Sequence, residues 1–281
     1  MRLLTWNTQW CCGLDGEVSP LRIVSVAREL ADFDVLCLQE IAINYPGLRG
    51  NAGHDQPELF ADLLHGYDVV FGPAVDEWDA QGARSQFGNL IATRLPILQV
   101  RHLSLPYPAD PGVESMPRLC TAVTVRDPVL GPVRVMTTHL EFYSRRQRLA
   151  QAQALRELHQ EACAHAAGPP KPLHDGSAFG PKPHTAQAVL CGDFNLAPDT
   201  PEYAEITRAG EHGRWWDSWR LLRGDAPHPP TFALFDRTYE PKPLSFDFVF
   251  VSDALKDKVR SIAVDGTTKA SDHQPVAVEI G

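Results

Sequence analysis

Short apolar runs, each about the length of a β-strand, recur along the whole sequence and constrain the fold more than any other feature. They are rich in Val, Ile, Leu and Thr, and Gly, Pro, Asp or Asn residues bound them. The runs span residues 2–5, 34–38, 68–71, 89–93, 97–103, 120–125, 133–138, 188–191, 246–251, 259–264 and 275–280. We therefore predict about eleven strands.

Helix signals are fewer, and each begins at a residue type that caps helices. Ser19 and Thr200 each precede a proline, which is favoured at the first helical position, and Ser144 precedes the longest stretch of helical periodicity. We predict a helix from each of these three points, and we expect the helix that begins after Thr200 to end at Gly210. Strands and helices interleave without a strict βαβ rhythm, which favours a mixed sheet pair covered by helices over a doubly wound parallel sheet.

The composition is that of an ordinary globular protein of 281 residues, 43% of them hydrophobic and 22% charged. A chain of this length buries enough surface to fold without disulfides or a structural metal, so we expect any metal to be functional. The net charge of −9 argues against coating nucleic acid or anionic lipid through bulk electrostatics, although it leaves a local basic groove open.

The six cysteines show no C-x-x-C spacing, and we expect them to be reduced and mostly buried. The first 13 residues lack the apolar core of an export signal. No run approaches the ~20 apolar residues that span a bilayer. The expected location is therefore the cytoplasm, with no membrane segment.

Residues 166–185 hold five prolines and three glycines without periodicity. This segment is either a linker between two domains or a surface insertion in one domain. We expect the insertion, because a linker would separate the core strand predicted at 188–191 from the sheet it needs. The chain is thus predicted to form a single domain over residues 1–281.

Polar residues that can bind a metal or a phosphate stand at the ends of five predicted strands. They are Asn7, Glu40, His139, the pair Asp193 and Asn195, and the pair Asp272 and His273. If these strand ends converge, they form a rigid-walled cleft of carboxylates, amides and imidazoles.

Two of these positions carry a specific chemical argument. Asp193 and Asn195 lie two residues apart in an extended segment, so both side chains face one point; an Asx turn that ends the strand is the alternative. Glu40 ends an apolar run, where an ionised carboxylate is costly unless a cation or donors satisfy it. Mg²⁺ needs only one or two protein carboxylates, so Glu40 is a candidate ligand, the alternative being a salt-bridged or helix-starting Glu.

His139 and His273 are the two histidines that stand at predicted strand ends. Asp247 lies inside the apolar run 246–251 and needs a partner, and the imidazole of His273 would serve. The alternatives are structural roles for both histidines and a cross-strand hydrogen bond for Asp247.

Eight segments, taken in order, resemble the motifs of the endonuclease/exonuclease/phosphatase superfamily, a group of magnesium-dependent phosphohydrolases. They are L-T-W-N (4–7), L-Q-E (38–40), G-N-L-I with L-P-I (88–91 and 95–97), T-H-L (138–140), R-L-A-Q (148–151), G-D-F-N (192–195), F-D-F-V-F (246–250) and S-D-H-Q-P (271–275). Each segment is weak evidence alone, but eight in this order are strong evidence.

The resemblance implies an α/β fold built as a four-layered sandwich, in which two mainly antiparallel sheets pack face to face and helices cover them. It places the site at one end of the sandwich. It also implies that Glu40 is the main ligand of Mg²⁺, with Mn²⁺ as a substitute. Asp193 or Asp272 would help to hold the ion or its water.

The resemblance assigns catalytic roles to the remaining strand-end residues. Asn7 and Asn195 would orient the phosphate and the attacking water, which Asp193 would align or deprotonate. His273, held by Asp247, would act as general base or as a donor to the phosphate oxygens. His139 would stabilise the phosphoryl group or the leaving oxygen.

Two positions depart from the family pattern. Gln9 stands where abasic-site endonucleases carry an acid, which weakens the case for that subgroup and for a second carboxylate-held metal. Ser245 stands where many members carry a basic residue. Arg118 resembles the arginine with which deoxyribonuclease-like members contact a substrate phosphate; an ordinary surface arginine is the alternative.

Tyr143 is a second candidate for substrate binding, and Arg145, Arg146 and Arg148 lie close to it in sequence. These residues could grip the rest of a substrate, or they could form the solvated first turn of a helix.

Three tryptophans, Trp215, Trp216 and Trp219, fall at the spacing of a short helix. This spacing favours anchoring in the core over a platform that stacks on a base.

The leading hypothesis is a monomeric, Mg²⁺-dependent hydrolase that cleaves a phosphoester, in a small molecule or a nucleic acid, by in-line attack of an activated water. A nuclease acting on DNA or RNA is the alternative. A non-catalytic phosphate-binding module is a more remote one. A zinc hydrolase using His54, His139 and His273 is weaker still, because the sequence lacks H-x-H and H-E-x-x-H spacing.

Overall fold

The computed structural model describes residues 1–171 and 177–281 and contains two β-sheets packed face to face. The strands are β1 (Arg2–Asn7), β2 (Val35–Ile43), β3 (Asp68–Trp78), β4 (Arg84–Thr93), β5 (Ile97–Ser104), β6 (Leu119–Asp127), β7 (Gly131–His139), β8 (Ala188–Asp193), β9 (Trp215–Asp217), β10 (Asp247–Ser252), β11 (Val259–Val264) and β12 (Val276–Ile280). The first sheet has the order β11-β12-β1-β2-β4-β3, and the second has the order β5-β6-β7-β8-β10-β9.

Helices pack against both sheets. They are α1 (Pro20–Leu30), α2 (Gln56–Leu63), α3 (Arg145–Ala167), α4 (Pro201–Thr207) and α5 (Ser218–Arg223). Helices α1 to α4 cover the outer faces of both sheets, whereas α5 packs against the apolar layer between them. Two short 3₁₀ helices add to them at Gln9–Cys11 and Lys256–Lys258. With α1 and α2 on the first sheet and α3 and α4 on the second, the layers form a four-layered α/β sandwich.

Apolar side chains fill three layers between these elements. Branched residues such as Val35, Val123 and Val249 pack between the two sheets. Leu155 of α3 packs on the outer face of the second sheet, and Ile23 of α1 packs on the outer face of the first. Both faces of the central strands are therefore buried, which explains why their sequences read as continuous apolar runs.

Each sheet contains one parallel pair near its centre, and these pairs position the functional residues. Strands β1 and β2 are parallel and are connected through α1, while β7 and β8 are parallel and are connected through α3. Asn7 lies opposite Gln39 in the first pair, and His139 lies opposite Asp193 in the second. Because parallel strands end at the same edge, polar residues that follow them are brought side by side.

The predicted elements agree closely with the structure. All eleven apolar runs are strands, and Ser19, Ser144 and Thr200 cap α1, α3 and α4 by accepting a hydrogen bond from a backbone N–H. Helix α4 ends at Thr207, one turn before the predicted stop at Gly210. All six cysteines are buried and free, as expected.

The prediction of one short helix for the three tryptophans was wrong. Trp215 and Trp216 belong to β9, which pairs with β10, and Trp219 lies in α5. Trp215 is fully buried, so the expected anchoring in the core is confirmed for it. The helix begins only at Ser218, after its cap Asp217, so the first two tryptophans lie before it and pair with β10 at the sheet edge.

The predicted insertion at 166–185 lies only partly within the described residues. Helix α3 continues to Ala167 and β8 begins at Ala188, whereas residues 172–176 are outside the part that the structure describes. Over residues 1–171 and 177–281, no helix is both long enough and apolar enough to cross a bilayer.

Gly192 provides a test of how closely β7 and β8 approach. It has a φ of 134°, and a Cβ at this position would overlap the backbone carbonyl of Thr138 on β7. We expect Gly192→Ala to lower the free energy of unfolding by about 3 kcal/mol or more, because β7 and β8 must separate. Urea denaturation measures this loss.

Gly131→Ala is the matched control, because Gly131 also has a positive φ, 78°, but nothing lies near its missing side chain. We expect it to cost only about 1 kcal/mol, the penalty of the backbone conformation alone. Equal losses in the two variants would contradict the proposed steric cause.

Candidate active site

The five predicted positions meet at one end of the sandwich, around a cavity of about 180 Å³. Four of them lie at strand ends, but the prediction that Glu40 ends its strand was wrong, because β2 continues past it to Ile43. Asn7 lies at the centre of the five positions, where its side-chain nitrogen donates to Glu40 Oε1 at 3.0 Å and to Asp193 Oδ2 at 2.9 Å. Glu40 belongs to the first sheet and Asp193 to the second. A single buried amide therefore joins carboxylates from both halves of the fold.

Glu40 is aimed into the cavity by an irregularity in its strand. The pairing of β2 with β4 shifts register between Leu38 and Ile41, and Glu40 there has a φ of 60°. Such bulges turn a side chain away from the regular alternation of a strand and are frequent beside active sites. The left-handed conformation is costly for a non-glycine residue, so the surrounding pairing must hold it in place.

His139 is held by the side chain of Asn195, in the turn that follows β8. The Asn195 side-chain nitrogen donates to the carbonyl of Leu140 and lies 3.0 Å from His139 Nε2. Burial, together with the positive charge of Arg118, lowers the pKa of His139 well below its usual value, so the imidazole is neutral. A neutral ring that accepts at Nε2 carries its proton on Nδ1, which faces Glu40 Oε1 at 3.9 Å.

His273 lies between two carboxylates. Its Nδ1 is 2.8 Å from Asp247 Oδ2, and its Nε2 is 3.6 Å from Asp193 Oδ2. Burial alone would lower the pKa of His273, but the charges of Asp247 and Asp193 raise it to about 10. The expected partnership of Asp247 with His273 is thus present, and Asp247 lies behind the imidazole, away from the cavity lining.

Asp272 faces the cavity from the loop before β12. Its carboxylate accepts hydrogen bonds from Gln9 Nε2 at 3.0 Å and from Ser271 Oγ at 3.2 Å. Gln9 stands where some family members have an acid. Its neutral amide donates a hydrogen bond to one carboxylate oxygen of Asp272. The same serine hydroxyl lies within 2.8 Å of the Asn7 carbonyl, so it ties the loop to the end of β1.

The charges of the cavity fit a divalent cation. Burial and the nearby charge of Asp272 raise the pKa of Glu40 to about 7, and burial raises the pKa of Asp193 to about 6. Three largely buried carboxylates thus face one small volume, where their mutual repulsion has to be balanced. A hard cation with oxygen ligands would supply that balance, and Glu40, Asp272 and Asp193 are the residues that could hold it.

A second group in the same site has metal-binding geometry. Ligand atoms of Asp193, Asp247 and His273 lie within 4.8 Å of one another. The short contact between His273 Nδ1 and Asp247 Oδ2 is, however, a hydrogen bond that occupies both atoms. The carboxylate set of Glu40 and Asp272 offers oxygens that face the cavity, which suits a cation such as Mg²⁺ better.

Arg118 lines the cavity and is buried, so it is not an ordinary surface arginine. Its Nε donates to Glu141 Oε2 at 3.2 Å. Glu141 follows the T-H-L motif directly in sequence, but its role as the partner of Arg118 was not predicted. It is fully buried and also accepts hydrogen bonds from the backbone of Met116 and Tyr143. Glu141 therefore fixes both Arg118 and the turn that carries Tyr143.

Tyr143 is half exposed at the mouth of the cavity. The three arginines that follow it point elsewhere: Arg145 pairs with Glu202, Arg146 donates to the Ala109 carbonyl, and Arg148 donates to the carbonyls of Glu141 and Phe142. They do not line the cavity, and their hydrogen bonds connect the first turn of α3 to neighbouring segments.

Aromatic residues that the sequence did not indicate form the walls of the cavity. Trp10, Phe142, Phe232 and Tyr239 line it together with Tyr143. Phe232 packs 4.5 Å from the His273 ring, measured between ring centres. Trp10 and Phe142 each lie within three residues of a recognised motif, so a signal from sequence existed for these two, but not for Phe232 and Tyr239.

His54 is exposed and does not line the cavity. The three histidines of the zinc hypothesis, His54, His139 and His273, therefore do not form one site, and that alternative is not supported.

Comparison with known proteins agrees with this fold. The profile of the Endonuclease/Exonuclease/phosphatase family matches residues 4–273. The chain belongs to this family. No curated protein sequence matches it.

Solved structures provide further similarities. An endonuclease/exonuclease/phosphatase from Beutenbergia cavernae is 27% identical, covers 100% of this chain and 72% of its own, and gives a TM-score of 0.67. A mannosyl-6-phosphatase from Bacteroides thetaiotaomicron is 18% identical, with 100% and 99% coverage and a TM-score of 0.67. A 3′ phosphatase from Neisseria bound to a product DNA hairpin is 21% identical, with 100% and 99% coverage and a TM-score of 0.61.

Glu40→Gln tests the electrostatic state of the cavity. In the folded protein the pKa of Glu40 is about 7, above its ordinary value of 4.5, so the wild type loses stability as pH rises between these values. In EDTA at pH 8 we expect the variant to be more stable than wild type by roughly 2 kcal/mol, and near pH 4 we expect no difference. Urea denaturation at both pH values measures this.

Glu29→Gln, at an exposed position on α1, is the matched control and should leave the free energy of unfolding unchanged at both pH values. Added Mg²⁺ should stabilise the wild type and the control but not Glu40→Gln. A Glu40→Gln variant that is destabilised equally at both pH values would contradict the expected repulsion.

Proposed function

We propose that this protein is a Mg²⁺-dependent hydrolase of a phosphoester, with Mn²⁺ as a substitute for Mg²⁺. Membership of the family supports a phosphoester hydrolase. The observation that carries the proposal is the Asn7 amide, which joins Glu40 and Asp193 between two imidazoles, those of His139 and His273. A site that only recognised phosphate would not need this concentration of buried carboxylates.

The residues divide the work of hydrolysis between them. Asn7 orients Asp193, whose carboxylate receives a proton from the attacking water and aligns that water with the phosphorus. As the water oxygen bonds to phosphorus, the bond to the ester oxygen on the opposite side breaks, and this oxygen leaves as the alcohol after it takes a proton from solvent. Protonated His273, held by Asp247, donates to a phosphate oxygen, as does the Nδ1–H of His139. Asn195 fixes the His139 ring in the orientation that this requires.

Glu40 and Asp272, with Asp193 beside them, would hold the cation. When bound, Mg²⁺ supplies positive charge beside the phosphate oxygens and lowers the pKa of water. Arg118, fixed by Glu141, adds a guanidinium on another side of the cavity, where it binds a further phosphate oxygen of the substrate.

We propose a small phosphoester as the substrate, with Tyr143 contacting the group that carries the phosphate. The cavity is small, its walls are aromatic, and Arg118, the one arginine among its described lining residues, is already paired with Glu141. A net charge of −9 adds to this argument. The similar mannosyl-6-phosphatase acts, by its name, on a small molecule.

A nuclease is the second candidate. The similar 3′ phosphatase from Neisseria was solved with a DNA hairpin, which supports a nucleic-acid substrate. An aromatic wall is also suited to stacking on a base.

We further propose a cytoplasmic monomer. The six cysteines are buried thiols, and burial raises the pKa of Cys11 and Cys120 to about 12, which makes them inert structural residues in a reducing compartment.

Hydrolysis of a substrate panel tests the proposal directly. With Mg²⁺ we expect release of phosphate or alcohol from at least one of a sugar phosphate, bis-para-nitrophenyl phosphate, sphingomyelin, a phosphoinositide and a DNA or RNA oligonucleotide. EDTA should abolish the reaction. Comparing kcat/KM for the small substrates with that for oligonucleotides separates the two candidates.

His139→Gln and Asp193→Asn should each lower kcat by about 10²–10⁴, because each removes a group that acts on the transition state. His54→Gln is the matched control for the histidine and should retain wild-type kcat, since His54 is exposed away from the cavity. An inactive wild type over the whole panel, or full activity of Asp193→Asn, would refute the proposal.

A further inference from the structure

A second cavity, of about 270 Å³, lies under the C-terminal half of α3, and we refer to it as the Arg134 cavity. Arg134 forms its floor, and Arg101, Lys182, His165, His184 and Glu161 are among the side chains around it. It shares no lining residue with the candidate active site.

The register of the second sheet builds the floor of this cavity. Gln99, Thr124 and Arg134 lie directly opposite one another on β5, β6 and β7, and Arg101 follows Gln99 on the same face of β5. Further along these strands the same face carries Ala122 and Met136, which pack in the apolar layer beneath α3. The face of the sheet beneath α3 is therefore apolar at Ala122 and Met136 and polar at Gln99, Thr124 and Arg134, where it forms the floor of the cavity.

Arg134 is a buried cation without a counter-charge. Only 9% of the residue is exposed, and its Nη2 lies 3.0 Å from Nδ1 of His159 on α3. Burial and the charge of Arg134 lower the pKa of His159 to about 3, so this partner is a neutral acceptor. Across residues 1–171 and 177–281, Arg134 forms no ion pair and its Nε has no hydrogen-bond partner.

The other charges around the cavity do not supply the missing anion. Arg101 also has no ion pair within the described part of the chain, and Lys182 donates only to the carbonyls of Ala178 and Gly180. Glu161 is the one acidic side chain in the described lining; it is well exposed, and its Oε1 lies 3.7 Å from His165 Nε2.

The net field in the cavity is therefore positive. Burial, together with the charges of His165 and Arg101, lowers the pKa of His184, as expected in such surroundings. A buried guanidinium that lacks a paired acid is costly unless an anion completes it.

We propose that the Arg134 cavity binds a phosphate group, either as inorganic phosphate or as a small phosphomonoester. Two guanidinium groups and an ammonium match the several acceptor oxygens of a phosphate dianion, which accepts paired hydrogen bonds from arginine. The volume is below that of sites for drug-sized ligands, which suits a small anion. The site is separate from catalysis: Arg134 precedes His139 by five residues on β7, about 16 Å along the strand.

Isothermal titration calorimetry of the full chain in EDTA tests this site, with inorganic phosphate and glycerol 2-phosphate as probes. The variants are Arg134→Met and the double variant Arg101→Gln with Lys182→Gln. Arg126→Gln, an exposed position on β6 outside the lining, is the matched control for the loss of one positive charge.

We expect phosphate to bind the wild type and the control with affinities within about twofold, and the affinity to fall about tenfold or more in Arg134→Met and in the double variant. Binding of glycerol 2-phosphate with the same pattern identifies a phosphomonoester site, and binding of inorganic phosphate alone identifies a site for the free ion. Both support the proposal.

The double variant changes exposed side chains and should keep the circular dichroism spectrum and Tm of the wild type. It therefore tests the proposed phosphate site even if Arg134→Met fails to fold. Wild-type phosphate affinity in the folded double variant would overturn the proposal, as would the absence of phosphate binding to the wild type. Substrate hydrolysis by the double variant should equal that of the wild type, which separates this site from the proposed catalytic function.

Discussion

The side-chain amide of Asn7 is the interaction on which the site depends, because it joins carboxylates from two different sheets. Its two hydrogen bonds to Glu40 and Asp193 can form only when β1 and β8 end at the same level across the sandwich. The parallel pairs at the centres of both sheets create that alignment, since crossover helices α1 and α3 return the chain to start each second strand at the same edge. The architecture therefore explains why one amide can reach both halves of the fold.

A second buried polar contact lies beneath the site and keeps the two sheets in register. Gln39 Nε2 donates to Thr137 Oγ1 at 2.8 Å, from the first sheet to the second, and both side chains are fully buried. Around these contacts the sandwich is filled by branched apolar residues, which provide stability but no directional preference. Buried hydrogen bonds are costly to leave unmade, so they fix the relative position of sheets that apolar packing alone would leave free to slide.

The site itself carries unfavourable electrostatics within this rigid frame. Three carboxylates face one cavity, and Glu40 adopts a left-handed backbone conformation at a bulge. Both features reduce stability and are tolerated where function requires them. The Arg134 cavity shows the opposite imbalance, on the outer face of the second sheet: among the described residues, its buried guanidinium forms no ion pair, and Glu161 at the rim is well exposed. The chain thus contains one cavity whose side chains suit a cation and another whose side chains suit an anion.

The sequence by itself determined most of the secondary structure, because strand length, turn residues and helix caps are local properties. It also indicated the strand-end residues, since a polar side chain directly after a buried strand stands out from its neighbours, as Asn7 and Asp193 do. Tertiary structure decided the rest. The edge strand β9 is three residues long and is defined only by pairing with β10. Phe232 and Tyr239 reach the cavity, and Glu141 reaches Arg118, through the packing of loops that carry no periodic signal. Those contacts join residues far apart in the chain, and their free energy depends on which surfaces the fold brings together, so no local pattern of residues encodes them.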